Sequence, residues 1–190
     1  AGASWRTRLI GLWQQHRLLT FLRRVRPLRL HTSNPTYQQV LAQNGWTAEI
    51  LPLFGNIPIA PLPRPARGEL PPGLPAAPCW IGALFGTLHA EWPAVDTFAW
   101  LRAAAAHAGR QVGLVTLGHG GAHQDAILAP LRRLFPEIPI VTLGPVDAAR
   151  ASRLLQSVDF GISSHPWALV EKSGSTVAML EHGLPVLVPR

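Results

Sequence analysis

The stretch Trp80-Ile81-Gly82-Ala83-Leu84-Phe85-Gly86-Thr87-Leu88-His89 decides the fold class. Residues 80–85 carry no charge and show none of the alternation of a half-exposed strand, and the run breaks at Gly86. A strand of that kind is buried on both faces, which calls for helices above and below a parallel sheet. The same unit recurs downstream. A helix is expected over 94–108, stopping at Gly109, then a strand over 112–117 that breaks into Gly118-His119-Gly120-Gly121. A helix to about Leu134 leads to a strand at 138–143 ending in Gly144. A helix over 147–156, a strand at 160–163, a helix around 174–182 and a strand at 185–188 complete the series. Strand and helix alternate throughout, so the expected fold is α/β with a Rossmann-like, doubly wound parallel sheet.

Upstream, residues 5–25 read as a helix, with Trp5, Leu9, Leu12, Trp13, His16 and Leu19 at helical spacing and arginines between them. A short strand is expected at 28–31. Ser33 or Asn34 then caps a helix with Pro35 in its first turn, ended by Gly45 after Asn44, and a second short strand covers 49–54. From 57 to 78 the composition changes. Pro58, Pro61, Pro63, Pro65, Pro71, Pro72, Pro75 and Pro78 each lack a backbone donor and fix φ. The expected organisation is a tail of one α/β domain over 1–57, a proline-rich interdomain linker over 58–78, and a ligand-binding α/β domain over 79–190. The sequence stops directly after a strand, so this last domain is expected to be truncated.

Bulk properties narrow the partners. The 47% hydrophobic content suits a packed core, and no apolar run reaches the roughly 20 residues of a membrane span. One cysteine, Cys79, cannot form an internal disulfide, and no export signal is visible, so a cytoplasmic location is expected. The formal net charge of +7 raises nucleic acid as a partner. The arginines are dispersed, however, and no zinc-finger or aromatic-basic pattern accompanies them, so no nucleic acid is expected. A basic surface also suits a diphosphate ligand, and the basic helix at 5–25 suits peripheral contact with an anionic membrane. His119 and His123 stand four apart, a metal-ligand spacing, but glycines lie between them and no third ligand is evident, so no metal is expected.

In an open parallel sheet, ligands bind outside the carboxyl ends of the strands. Three glycine-containing loops fall there: Gly86-Thr87-Leu88, Gly118-His119-Gly120-Gly121, and Lys172-Ser173-Gly174-Ser175. Lys172 is the sole lysine and directly precedes a helix start. Glycine lets a backbone approach a phosphate, and a helix start offers N–H groups and a positive dipole end. None of the three completes a dinucleotide fingerprint or a Walker motif, which disfavours a dehydrogenase or an ATPase.

The segment from Phe160 to Val186 contains Lys172-Ser173-Gly174-Ser175 and closes in Gly183-Leu184-Pro185-Val186. It resembles the donor-binding stretch of GT-B glycosyltransferases. His31-Thr32-Ser33-Asn34-Pro35-Thr36-Tyr37 and Leu51-Pro52-Leu53-Phe54-Gly55-Asn56-Ile57-Pro58 resemble the end of that superfamily's acceptor-side domain and the start of its linker. Phe85-Gly86-Thr87-Leu88 resembles the first strand and loop of its donor domain. The resemblance implies an enzyme that moves a sugar from a nucleoside diphosphate sugar to an acceptor, with no further cofactor. It implies donor-binding roles for Gly86, Thr87, Leu88, His89, Gly118, His119, Trp167, Glu171, Lys172, Ser173, Gly174 and Ser175, and assigns no catalytic base. Retaining members carry two glutamates eight positions apart, which would fall at Val170 and Ala178; Glu171 and Glu181 are out of that register. Two alternatives follow: an epimerase of nucleotide sugars on the same scaffold, and a binding module without catalysis.

Overall fold

The computed structural model describes residues 5–61 and 70–189. The chain divides into two compact units, Ala1–Pro52 and Leu53–Arg190.

In the first unit, helix α1 spans Trp5–Val25, strand β1 His31–Thr32, helix α2 Pro35–Gln43 and strand β2 Glu49–Ile50. The two strands pair in parallel, His31 with Glu49 and Thr32 with Ile50. Both are shorter than the apolar runs suggest. Of the two cap candidates it is Asn34 that closes α2, its Oδ1 accepting the Tyr37 N–H at 3.0 Å, while Asn44 and Gly45 end the helix. Leu22, Leu41 and Ala48 form the small core, with Leu30 and Trp46 against it.

The second unit is the α/β domain the alternation demands. Its strands are β3 Cys79–Thr87, β4 Gln111–Gly120, β5 Ile140–Gly144, β6 Phe160–Ile162 and β7 Val186–Leu187. Its helices are α3 Ala94–His107, α4 Gln124–Leu134, α5 Ala148–Ser157 and α6 Gly174–Glu181, with a 3-10 helix at Trp167–Lys172 before α6. The sheet order is β5-β4-β3-β6-β7, all parallel. The chain lays down β3, β4 and β5 in one direction, then returns across β3 to add β6 and β7. That reversal is the Rossmann-like pattern, and it opens a crevice between β3 and β6 at their carboxyl ends.

Period-two alternation along the strands separates two cores. Leu84 of β3 and Val112 and Leu114 of β4 pack with Phe98, Leu101, Leu128 and Leu131 of α3 and α4. Ile81 and Ala83 of β3 and Val115 and Leu117 of β4 pack with Leu154, Leu155 and Met179 of α5 and α6. Asp159 joins β6 to β3 at its start: its carboxylate accepts the Ile81 N–H at 2.8 Å, and its own N–H reaches the Ile81 carbonyl at 2.7 Å.

The glycine runs read as loops from sequence are partly strand. Gly86 and Thr87 belong to β3, and Gly118, His119 and Gly120 to β4, because the ladder resumes past a register shift with Thr87 opposite Gly120. The stretch expected as a linker also has a bound portion. Leu70 and Leu74 pack on the α5–α6 side of the sheet, and the Ala60 N–H donates to Ser152 Oγ of α5 at 2.8 Å. Pro63 and Pro65 lie outside the described residues. Among the described residues no helix is long and apolar enough to cross a membrane.

Candidate functional site

Two neighbouring features sit on the carboxyl edge of the sheet. The first is a meeting of backbones. Gly86 has φ +87 and Gly118 φ +90, a region costly to residues with a Cβ. A Cβ built on Gly118 would stand 3.4 Å from the Cα and N of Gly86, and one on Gly86 would stand 3.1 Å from the Cβ of Ser175. The ends of β3 and β4 and the first turn of α6 therefore converge. Gly121 lies against Thr87 in the same way, and the Leu88 N–H donates to the Gly120 carbonyl at 2.9 Å.

The start of α6 is held by hydroxyls. Ser173 is its cap, buried, with Oγ accepting the Thr176 N–H at 3.2 Å and lying 3.0 Å from Ser175 Oγ. The Thr176 hydroxyl donates to Ser163 Oγ at 2.9 Å, which pins the helix start to the end of β6. The Ser173 hydroxyl thus works inward, as a cap. Gly174 and Ser175 head the helix, and the positive end of its dipole lies beside Gly86. Lys172 ends the 3-10 helix with an exposed side chain, next to exposed Glu171.

The second feature is the crevice itself. Ser164, the second residue past β6, is buried and clasps the β3 end: its Oγ accepts the His89 N–H at 3.1 Å and donates to the Thr87 carbonyl at 3.2 Å. The clasp sets His89 against His165, ring centroids 6.2 Å apart and tilted by 48°. Burial, and then the neighbouring His89, push the His165 pKa below the ordinary histidine value. Beside the pair lies a cavity of about 350 Å³ lined by Glu91, Trp92, Pro93, Ser164, His165, Pro166, Trp167 and Pro189. That volume is in the range of small-ligand pockets, about 300–1,000 Å³. The indole N–H of buried Trp92, which lines it, has no hydrogen-bond partner. A larger depression of about 510 Å³ on the first unit, around α2 and Trp46, holds no titratable side chain.

The structure thus brings together Gly86, Thr87, Gly118 and Ser175, leaves the Cβ position of Gly174 in open space, and separately places His89 and Trp167 at the crevice. Leu88 is buried in the α3–α4 core, so only its backbone faces the edge. His119 is exposed on β4. Sequence reasoning passed over Ser163, Ser164, His165, Glu91 and Trp92. The signal for the first three was their place directly after β6, the strand that flanks the reversal. Among the described residues no group of three or more His, Cys, Asp or Glu is arranged to hold a metal ion. In comparison with known proteins, the chain matches no family model and no curated protein.

Proposed function

We propose that the second unit is the donor-binding domain of a GT-B glycosyltransferase, which holds a nucleoside diphosphate sugar on the carboxyl edge of its sheet for transfer of the sugar to an acceptor hydroxyl. The observation that carries this reading is the close approach of Gly86, Gly118 and Ser175. It sets two strand-end backbones beside one helix start, an arrangement that favours a diphosphate. In transfer, charge develops on the departing diphosphate, and the α6 N-terminus and the Lys172 ammonium would balance it there. Thr87, Glu171 and Trp167 would meet the remainder of the donor.

A second reading is donor binding without catalysis. It is favoured by Glu181, whose carboxylate accepts the Gly55 N–H at 3.0 Å and so holds the chain segment before the prolines rather than a ligand.

The test is calorimetric titration of UDP-glucose and GDP-mannose into the chain and its Lys172→Ala variant. One donor is expected to bind saturably, with affinity reduced about tenfold in the variant, the scale of one charge-assisted hydrogen bond. Absence of binding for both donors, in a chain shown folded by circular dichroism, would overturn the reading. Binding without transfer or donor hydrolysis would select the second one. Peripheral membrane contact through α1 belongs to the same proposal. It rests on exposed Trp5, Leu9, Leu12 and Trp13 beside arginines, and is checked by co-sedimentation with phosphatidylglycerol vesicles.

A further inference from the structure

We propose that His89 and His165, facing each other across the crevice between β3 and β6, form a subsite that takes up one anionic group together with a proton. The identity of the natural anion, a phosphate of the donor, rests on the diphosphate reading above; the subsite itself does not.

The geometry is built rather than incidental. Each imidazole sits on a segment fixed by the buried Ser164 clasp, which uses the backbone of His89 and of Thr87 and leaves both rings clear of that task. The Glu91 N–H donates to His89 Nδ1 at 3.3 Å, which puts the ring hydrogen of His89 on Nε2 as a donor. His165 borders the cavity together with Trp92, whose unpartnered indole N–H is itself buried. The two rings, with centroids 6.2 Å apart, therefore set the His89 Nε2–H beside a His165 ring that can take up a second proton. A proton added to this pair has no neighbour to neutralise it except a carboxylate or an incoming anion.

The charged and titratable groups around the pair decide the sign. On the β3–α3 loop Glu91 lines the cavity and opposes an anion. At the start of α3, Asp96 lines an adjoining cavity of about 420 Å³. On the 3-10 helix stand Glu171 and Lys172, both exposed. The described residues at the end of β7, Val188 and Pro189, and the first turn of α6 carry no charge. Without an anion, burial and then the neighbouring His89 lower the His165 pKa; an anion beside the pair acts against both, so anion and proton bind together.

The experiment follows the imidazole Cε1–H resonance of His165 by NMR across the pH range, in the whole chain, with and without sodium sulfate at constant ionic strength. Sulfate does not itself titrate in this range. Its addition is expected to move the His165 midpoint up by about one pH unit, the scale of one close opposite charge. His89→Asn should remove most of that response, and Glu91→Gln should enlarge it. Both variants keep the backbone donor of the Ser164 clasp. An unmoved His165 midpoint, or an equal response in His89→Asn, would overturn the paired subsite. A parallel titration with UDP-glucose, whose diphosphate also holds its charge, separates the two proposals. If sulfate moves His165 and the nucleotide sugar does not, the anion subsite stands and its assignment to a donor phosphate falls.

Discussion

At the residue scale the site depends on what two glycines lack and on what one histidine gives up. Gly86 combines φ +87 with a Cβ position 3.1 Å from the Cβ and 3.2 Å from the Oγ of Ser175. Gly86→Ala is therefore expected to cost about 1–2 kcal/mol in urea denaturation from the left-handed backbone alone. It should also displace the start of α6 and weaken nucleotide-sugar binding; unchanged stability would mean that the β3 end relaxes freely. His165 gives a prediction whose sign follows from its depressed pKa. The unfolded chain takes this proton near pH 6.5 and the folded chain only below that, so in between the unfolded state holds more protons. Stability is complete above about pH 6.5 and falls as the pH drops through the folded midpoint. Urea midpoints at pH 5 and 7.5 should differ less in His165→Asn than in the wild type. Gly86 and Gly118 were legible in the sequence, because each ends an apolar run. The pairing of His89 with His165 was not, since it depends on β6 returning to lie beside β3, 75 residues later in the case of His89 and Ser164.

At the scale of elements, apolar continuity placed the four α-helices and five strands of the second unit but not the 3-10 helix at Trp167–Lys172, and local chemistry fixed many ends. Asn34 and Asp147 cap α2 and α5 through their side chains, as residues of that type do. What composition hid is the seat of the proline segment. Proline content reads as a linker because it removes backbone donors, but it says nothing of what the prolines rest on. The counterpart lies in β4. A Cβ on Gly113 would come within 2.6 Å of Pro75 Cδ and 3.0 Å of Leu74 Cδ2, so the strand leaves room for the segment that crosses it. Cys79, at the start of β3, adds a thiol hydrogen bond to the Pro75 carbonyl at 3.2 Å. Gly113→Ala is expected to destabilise the second unit by about 1–3 kcal/mol, the usual cost of overpacking. Pro75→Ala in the same chain should recover part of that loss. A thermal melt of the single and double variants measures both, and purely additive losses would show that the two residues do not share a contact.

At the scale of the whole molecule, the two units differ in what holds them. The second has two extended apolar cores on opposite faces of a sheet whose central pair runs in continuous register from Cys79 opposite Gln111 to Phe85 opposite Leu117. The first has three buried apolar side chains at its centre and two strands of two residues each. Its longest helix, α1, keeps Trp5, Leu9, Leu12, Trp13, Leu18 and Phe21 exposed. A two-stranded pairing with so small a core is marginal in water, whereas a central parallel strand opens only with its whole domain. Native-state hydrogen exchange should separate them. The Leu51 amide, bonded to the Thr32 carbonyl at 2.8 Å, is expected to exchange at least about a hundredfold faster than amides of Leu84 and Val115 in β3 and β4. Equal protection would show that burial among the described residues understates what stabilises the first unit. The expected gap in turn bears on function, because it puts the glycine meeting point and the histidine pair on the better protected unit. Loss of structure around α2 would then leave the anion response of His165 intact, and the sulfate titration can be repeated under mild denaturant, where Leu51 is already unprotected, to check it.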